Sequence, residues 1–415
     1  MPGTSPHDDN PAGRDRGALF APVRRRPVIA ALCALGFTGV AAGVIAFSAY
    51  PQSLLALAKP SAETAGNASV IHSVQDLNKA LERAQGGETF LLAPGDYARI
   101  AITDRTFASP VTIASQSADR RAKVMALTVR RSTGLIFRDL EFVAAPGRTG
   151  SHSIFNARNV RFENLFVHGS LDNDPSNDPA PFLLRDSHNV VVANSMFQEL
   201  HNGLGFMGGS NLRITGNVFF RMRTDGIRGG GVSNIRIDNN LCTGFQPIEN
   251  DHPDCIQFWT TNTTSRAENI VVERNVSLRG DGKMTQGIFI RDTENLPFKN
   301  VSVRYNLLIG NQWHGIYVDG AEGVELRGNQ VAPFTDHRSW ILVKNSRNVD
   351  LVDNSAPQTV LQNNQAVNER GGRKNAAVTD GGRSVLQNWH SSYAPPETIS
   401  RALTDMVSAG DGAAP

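Results

Sequence analysis

The chain has 415 residues, more than one compact core usually holds, so its length favours two domains or one elongated repeat fold. A formal net charge of +2 excludes the strongly basic surface of a typical nucleic-acid-binding protein, and we expect no nucleic-acid partner. With only three cysteines, the chain is not a disulfide-rich scaffold.

The N-terminus has the pattern of a targeting segment. A basic tail, residues 1–26, precedes an apolar run at 27–50, and no charged residue lies between Arg26 and Lys59. Such a run is long enough to cross a bilayer, and its basic flank favours a cytoplasmic N-terminus. We therefore expect an exported protein, held by a single-pass membrane anchor and facing the periplasm or the cell exterior.

A cleavable signal peptide is the alternative to the anchor. Ala56, Leu57 and Ala58 resemble a cleavage site with small residues, and cleavage would release a secreted protein. Residues 51–69 form a linker in either case. Two cysteines, Cys242 and Cys255, lie in the exported part, where one bridge between them is an open question.

A capping helix is predicted at the start of the exported domain. Apolar residues recur at helical spacing (Val74, Leu77, Ala80, Leu81 and Ala84), and Ser73 is placed to cap the helix before a Gly-Gly stop. A strand and a Pro-Gly turn follow. A helix in this position protects the open end of a repeat fold.

Internal repeats follow the helix. Each has an asparagine, two apolar residues in alternation, and a second asparagine, with 22 to 35 residues from one repeat to the next: NVRFEN (159–164), NVVVAN (189–194), NLRITGN (211–217), NIRIDNN (234–240), NIVVERN (269–275), NVSVRYN (300–306), GVELRGN (323–329, with glycine first) and NVDLVDN (348–354). The alternation indicates short strands with one buried face, and the asparagines indicate turns and left-handed backbone positions.

Units this small do not fold alone, but stacking buries their apolar faces and lets equivalent asparagines hydrogen-bond in ladders. We therefore predict an all-β fold, a right-handed parallel β-helix at residues 70–355. Residues 356–393 form the C-terminal end of this domain, and residues 394–415 a helix and flexible tail. Leucine-rich repeats, the competing solenoid, need a regular leucine framework that is absent here. We expect a monomer.

A second strand in each coil carries a column of polar residues. The strands align as HNGLGF (201–206), TDGIRG (224–229), PDCIQF (253–258), TQGIFI (285–290) and WHGIYV (313–318). This alignment places Asn202, Asp225, Asp254, Gln286 and His314 in one column. Since neighbouring coils lie about 4.8 Å apart, Asp225 and Asp254 are predicted to be neighbours whose repulsion raises one pKa.

Outward-facing residues beside the column are suited to binding a sugar chain. Alternation predicts that Arg228, Gln257, Phe289 and Tyr317 face solvent, followed two positions later by Trp259, Arg291 and Asp319. An aligned acid pair beside arginines and aromatic rings indicates acid–base chemistry on a carbohydrate. The alternative is that the polar residues only form ladders at the strand ends, as in non-catalytic solenoids.

The segment ENDHPDCIQFW (249–259) allows three roles for its charged residues. In the first, His252 is a general base held by Asp251. In the second, the cluster binds a metal, and in the third Asp251 caps the turn while His252 is solvated. No metal site is assigned.

An acidic loop, DNDPSND (172–178), offers Asp172, Asp174 and Asp178 as oxygen ligands. Calcium takes ligands of this kind, so it is the one candidate cofactor, although the loop lacks the ordered spacing of a known calcium loop. A solvated acidic loop is the alternative.

Two motifs resemble those of pectinase-type polygalacturonases, which share the β-helix fold. They are TDGI (224–227) and DCI (254–256). The resemblance implies glycoside hydrolysis with Asp225 and Asp254 as catalytic carboxylates.

Another set of motifs resembles the β-helical polysaccharide lyases and mannuronan epimerases. DHPD (251–254) is similar to a permuted Asp-Pro-His-Asp motif, and QGIFIRD (286–292) and HGIYVDG (314–320) are similar to the strands that follow it. The resemblance implies catalysis by His252 and Asp254 on an acidic polysaccharide.

The chemistry that this resemblance implies is removal of the C5 proton of a uronic acid. It needs a base, a positive group to neutralise the sugar carboxylate, and an acid. The bases on offer are His252 and His314, the neutralising groups are Arg228 and Arg291, and the acid is Tyr317. Gln257, Trp259, Gln286 and Asp319 are expected to bind substrate. Epimerisation or β-elimination is thus the leading hypothesis, and the rivals are glycoside hydrolysis and a non-catalytic carbohydrate-binding or assembly protein.

Overall fold

The structure is a computed structural model that describes residues 68–397, 399–400 and 402–403. The predicted basic tail, the anchor or signal segment at 27–50 and the end of the C-terminal tail lie outside these residues. In the part of the chain that is described, no helix is both long enough and apolar enough to span a membrane.

Three parallel sheets, which we number 1 to 3, contain the 36 strands of the described residues. Sheet 1 contains β1 (Ala68–Ile71), β2 (Thr89–Leu92), β5 (Thr106–Ser115), β8 (Thr133–Arg138), β11 (Arg158–Glu163), β14 (His188–Ala193), β17 (Ser210–Thr215), β20 (Ser233–Asp238), β23 (Glu268–Glu273), β26 (Phe298–Arg304), β29 (Ala321–Arg327), β32 (Arg347–Val352) and β35 (Gln365–Arg370). Sheet 2 contains β4 (Ile100–Thr103), β7 (Leu127–Arg130), β10 (Thr149–Phe155), β13 (Ala180–Arg185), β16 (Leu204–Met207), β19 (Ile227–Gly230), β22 (Asp254–Trp259), β25 (Gln286–Arg291), β28 (Trp313–Asp319), β31 (Ser339–Lys344) and β34 (Thr359–Gln362). Sheet 3 contains β3 (Asp96–Tyr97), β6 (Lys123–Val124), β9 (Glu141–Val143), β12 (Phe166–His168), β15 (Met196–Gln198), β18 (Val218–Phe220), β21 (Leu241–Thr243), β24 (Val276–Leu278), β27 (Leu307–Ile309), β30 (Gln330–Ala332), β33 (Ser355–Ala356) and β36 (Arg373–Lys374).

Each complete coil gives one strand to each sheet, and the strand pairs are parallel, which confirms the predicted all-β parallel β-helix. Along the strands of sheet 1, every second side chain points into the core. In β11, for example, Val160 and Phe162 are buried while Arg161 is exposed. Every fully buried side chain of this kind contributes about 1.5–3 kcal/mol, and one continuous core runs through the stack.

The predicted asparagine ladders are present in two forms. The first asparagine of each repeat, from Asn159 to Asn348, has a left-handed backbone with φ between 53° and 58°. An outer ladder begins at Asn159 and joins asparagine side chains of successive coils through hydrogen bonds of 2.8–3.2 Å. The members that follow Asn159 are Asn189, Asn211, Asn234, Asn269 and Asn300. An inner, buried ladder joins Asn217, Asn240, Asn275, Asn306, Asn329 and Asn354 at 2.9–3.0 Å. The ladders hold successive coils in register.

Helix α1 (Val74–Arg83) is the predicted capping helix. Ser73 caps it by accepting a 3.1 Å hydrogen bond from the backbone N–H of Asp76, and Leu77 and Leu81 are buried against the first coils. A second helix, α2 (Arg383–Tyr393), lies within the segment predicted to end the β-helix. Its Leu386 and Trp389 pack in a hydrophobic cluster with residues of sheet 3.

Candidate functional site

The predicted column exists in sheet 2. Leu204, Ile227, Ile256, Ile288 and Ile316 are successive Cα partners, as the sequence alignment requires. Asp254 is paired with Gln286 directly. The structure therefore places Asp225, Asp254, Gln286 and His314 on four successive coils at the entry to their strands.

Asp225 and Asp254 form a buried pair. The backbone N–H of Asp254 donates to Oδ1 of Asp225 at 3.0 Å, and the Arg228 guanidinium lies 3.0 Å from the other oxygen of Asp225. Burial, reinforced by the Asp254 charge, raises the pKa of Asp225. Burial also raises the pKa of Asp254, although the His252 contact opposes this rise. The two carboxyls thus depend on their neighbours for their charge state.

Asp254 holds His252. Oδ2 of Asp254 lies 3.1 Å from Nδ1 of His252 and accepts a 2.5 Å hydrogen bond from Nε2 of Gln257. Oδ1 of Asp254 is buried without a hydrogen-bond partner among the described residues. The contact with Asp254 raises the pKa of His252 above its ordinary value, since the carboxylate favours the imidazolium.

Gln286 links the two histidines of the column. Its Nε2 lies 2.6 Å from Nε2 of His252, and its Oε1 lies 2.5 Å from Nδ1 of His314. In this orientation the amide donates to a neutral His252, whose proton sits on Nδ1 and faces Asp254. Burial, with the nearby charge of His252, lowers the pKa of His314 to about 4, so His314 is neutral at ordinary pH.

The partner of His252 differs from the one predicted in the first of the three roles. Asp251 does not hold the imidazole. It pairs with Arg223 at 2.9 Å and accepts a 2.9 Å hydrogen bond from the backbone N–H of Ile248. Burial alone would raise the pKa of Asp251, but these two donors outweigh it and the pKa is lowered. Asp251 thus shapes the loop that presents His252.

A disulfide closes this loop. Cys242 at the centre of β21 is bonded to Cys255 in β22, 13 residues later, and both are buried. The bond joins sheet 3 to sheet 2 within one coil. It therefore restrains both ends of the segment that contains Asp251, His252 and Asp254.

His252 lines an open cleft of about 440 Å³, which we name the site cleft. The cleft is lined by Arg228, His252, Gln257, Trp259, Thr261, Asn262, Phe289, Arg291 and Thr293. The Arg228 guanidinium stacks 4.3 Å from the centre of the Trp259 ring while it pairs with Asp225. Arg291 is exposed on the next strand. Two arginines and an aromatic ring thus line the same cleft as a half-exposed histidine.

Three residues expected at the solvent face are buried instead. Phe289 and Tyr317 are 9 % and 7 % exposed because their rings pack together at 4.6 Å, and His314 covers Tyr317 at 4.7 Å. Asp319 is buried, and it accepts hydrogen bonds of 2.7 Å from the Tyr317 hydroxyl and 2.8 Å from Nδ2 of Asn345. Burial, with the neighbouring Asp319, raises the pKa of Tyr317. These contacts leave Tyr317 poorly placed to act as the acid and Asp319 poorly placed to bind substrate.

The acidic loop does not bring its three aspartates to one point. Asp172 and Asp174 are exposed and accept hydrogen bonds from the loop backbone, at 2.9 Å from Asp174 N and 2.9 Å from Ser176 N. Asp178 is buried beside Glu199 in a separate cavity of about 220 Å³. Among the described residues, no group of three or more His, Cys, Asp or Glu side chains is arranged to hold a metal ion.

Two contributors were missed from sequence. Arg223 holds Asp251 although the two residues are 28 positions apart in sequence, and no local sequence pattern predicts this contact. Trp340 is the Cα partner of His314 and extends the column by one coil, but the register shifts by one residue between His314 and Ile316. Because of that shift, a sequence alignment based on constant spacing does not place Trp340 in the column.

Comparisons with known proteins identify the fold. Residues 150–331 match a family model described as "Right handed beta helix region". No curated protein matches the chain. Among solved structures, an alginate lyase from Paenibacillus sp. str. FPU-7 is 13 % identical and covers 76 % of this chain and 100 % of its own, with a TM-score of 0.45.

Two further solved structures are similar to this chain. The A-module of a mannuronan C-5 epimerase from Azotobacter vinelandii is 17 % identical and covers 74 % of this chain and 95 % of its own, with a TM-score of 0.40. A surface protein and adhesin of Streptococcus pneumoniae is 14 % identical and covers 74 % of this chain and 97 % of its own, with a TM-score of 0.46. Similarities this low carry no argument about activity. The family model and the strand register together identify residues 150–331 as a right-handed parallel β-helix, as predicted from the repeats.

Proposed function

We propose that this protein is an exported enzyme that acts on a uronic-acid polysaccharide by removing the proton at C5, with β-elimination as the reaction. The observation that carries the proposal is the placement of His252 at the wall of the site cleft. Its imidazole is held from behind by buried Asp254, and Arg228 and Arg291 line the same cleft.

The two arginines supply the positive charge that the reaction needs. A C5 proton becomes acidic enough to remove only when the neighbouring carboxylate is neutralised, because the negative charge of the carbanion spreads onto that group. Arg228 is already positioned by its contacts with Asp225 and Trp259, so it loses little freedom when the sugar binds. Arg291 is exposed and free to turn toward the same carboxylate.

His252 is the proton carrier. Its Nε2 takes the C5 proton, the C–H electrons form the C4–C5 double bond, and the C4–O4 bond breaks. The proton then passes from the imidazolium to the departing O4 oxygen. Asp254 stabilises the imidazolium formed in between, as the raised pKa of His252 indicates.

Gln286 occupies Nε2 of His252 in this structure and must release it for the sugar to react. Turning the amide over puts Oε1 against His252 and Nε2 against His314. That orientation suits a protonated His252, whereas the observed one suits a neutral His252. Gln286 therefore adapts to both protonation states.

The side chains that reach the site cleft favour elimination over the rival reactions. Among the described residues that line the cleft, His252 is the one imidazole and no carboxyl is present, and elimination on one face of the sugar needs only one proton-transfer group. Epimerisation needs a second proton donor on the opposite face. Hydrolysis needs two accessible carboxyls, whereas Asp225 and Asp254 are buried beneath the cleft lining.

Export is supported by the disulfide and by the N-terminal sequence. Structural disulfides persist in oxidising compartments and are rare in the cytosol. The basic tail and the apolar run at 27–50 are typical of a membrane anchor or signal segment. We propose that the β-helix faces the periplasm or the cell exterior.

The test uses the full-length protein with polymannuronate, polyguluronate, polygalacturonate and a neutral glucan. Ultraviolet absorbance of unsaturated ends, reducing sugar and deuterium exchange at C5 are followed together in D2O. We expect unsaturated ends on at least one uronate, and none with His252→Gln. Exchange without cleavage would replace elimination by epimerisation. Reducing ends without unsaturation, or binding without any reaction, would overturn the proposal.

A further inference from the structure

Another cavity lies beyond the site cleft, toward the C-terminal end of the solenoid. It measures about 470 Å³, and we name it the distal cavity. Its walls are the loop at residues 333–340, which leads into β31, and Pro357, Gln358 and Ala377. The loop enters sheet 2 on the same side as the segment that presents His252. His252 and the distal cavity therefore lie along the same edge of sheet 2, while the rest of the site cleft extends across the sheet to Trp259 at the end of β22.

Aromatic contacts connect the distal cavity with the site cleft. The rings of His252 and Phe289 meet at 5.1 Å, those of Phe289 and His314 at 5.9 Å, and those of His314 and Trp340 at 5.4 Å. Trp340 is at the same time a wall of the distal cavity. From β22 to β31 is three coils, or roughly 14 Å at the usual strand spacing. That is a distance spanned by a chain of several sugars and not by one.

Two of the four tryptophans lie on this edge. Trp313 and Trp340 are at the starts of β28 and β31, whereas Trp259 ends β22 at the opposite edge and Trp389 is a buried residue of α2. Trp313 is 50 % exposed and has a left-handed backbone with φ of 49°, which is unfavourable for a bulky residue. Such strain persists where the surroundings enforce it, often at ligand-binding positions. Indole rings offer sugars an apolar face and one hydrogen-bond donor.

The polar groups of the distal cavity suit an anion. Arg338 is exposed on its wall, whereas the carboxylate of Asp336 is engaged by Arg279 at 2.8 Å. The hydroxyl of Ser339 is buried, with the residue 2 % exposed, and has no hydrogen-bond partner among the described residues. That hydroxyl faces inward beside Gly315, so Arg338 is the group on this wall that donates hydrogen bonds to a sugar carboxylate.

We infer that the distal cavity is a binding subsite for the same acidic polysaccharide, in which Trp340 stacks on a sugar ring and Arg338 pairs with its carboxylate. The inference rests on the proposed function for the identity of the polymer. It makes the protein selective for chain length, because only an oligosaccharide that reaches both cavities gains the distal contacts.

Kinetics on a size series of uronate oligosaccharides test the subsite. For Arg338→Ala we expect a KM about tenfold higher on long oligomers, the loss of one charge-assisted contact, and a KM on the shortest cleaved oligomer that matches the wild type. Trp340→Ala is expected to do the same, and Trp340→Phe to restore most of the affinity. Arg347→Ala, an exposed arginine on sheet 1, is the matched control. An unchanged KM at every length, or an equal rise at every length, would overturn the subsite.

Binding to the His252→Gln variant separates this inference from the proposed reaction. Tryptophan fluorescence is titrated with the same oligosaccharides, with and without Arg338→Ala. If the wild type has no turnover but long oligomers bind in an Arg338-dependent manner, the subsite stands and the proposed chemistry fails. If turnover is present and binding is independent of both Arg338 and Trp340, the chemistry stands and the subsite fails.

Discussion

Asp225 accepts a hydrogen bond of 3.0 Å from the backbone N–H of Asp254, one coil further along the solenoid. Asp254 in turn holds His252 through its side chain. The position of His252, the proposed proton carrier, therefore depends on the stacking of two coils. Asp225 contributes to this position although its buried carboxylate does not reach the cleft.

Asp254→Asn is predicted to reduce kcat by about 100-fold, because His252, whose general-base catalysis contributes roughly 100- to 10,000-fold, is no longer held in place by the carboxylate. It is also predicted to lower the pKa of His252 toward about 6.5, since the carboxylate that raises this pKa is lost. Because the neutral imidazole takes the proton, the rising limb of kcat/KM against pH should move to lower pH. NMR titration of His252 and pH–rate profiles measure both effects.

The same contact has a signature in stability. The pKa of His252 is raised on folding, so the pair with Asp254 contributes fully below about pH 6.5 and is lost as pH rises through the folded-state pKa. Denaturant unfolding of the wild type and of Asp254→Asn across this range should show the difference. An unchanged His252 pKa in the variant would refute the coupling.

Removing the disulfide with Cys242→Ala and Cys255→Ala together is predicted to cost about 3 kcal/mol, as expected when a cross-link over 13 residues no longer restrains the unfolded chain. Because the loop that presents His252 gains freedom, kcat should fall more than KM rises. Urea unfolding with and without reductant measures the stability. The double variant is the control, since reductant should not change it, and a wild type indifferent to reductant would contradict the prediction.

Asn275→Ala is predicted to destabilise the solenoid by about 3 kcal/mol, since each buried polar group left without a partner costs about 1–3 kcal/mol. Its side chain donates to the Ile237 carbonyl and to Asn306, and accepts from the backbone and side chain of Asn240. The matched control is Asn234→Gly in the exposed outer ladder, which retains the left-handed backbone with φ of 58° and should cost under about 1 kcal/mol. Equal losses of stability for the two variants in thermal unfolding would show that burial does not determine how much the ladder stabilises the solenoid.

The repeats and the polar column were accessible from sequence because both follow the period of the solenoid. The apolar pairs of each repeat must face the core, so the asparagines and Asp225, Asp254, Gln286 and His314 fall at fixed positions along the stack. Nothing beyond the pattern and the strand spacing is needed to predict them.

Features that do not follow the period of the solenoid could not be predicted from the sequence. The pairing of Asp251 with Arg223 and the hydrogen bond from His252 to Asp254 depend on the path of one loop between β21 and β22. The burial of Phe289 and Tyr317 depends on rings from neighbouring coils that fill the space over an outward-facing position. Alternation gives the direction of a side chain and cannot say what will cover it.

The buried ladder from Asn217 to Asn354 makes the coils interchangeable units, since each asparagine presents the same donors and the same acceptor to the next. In a solenoid each unit contacts mainly its two neighbours. The separation between the site cleft and the distal cavity is therefore adjustable in whole coils: removing or adding one would change the reach of the binding surface by about 4.8 Å and leave the chemistry at His252 intact.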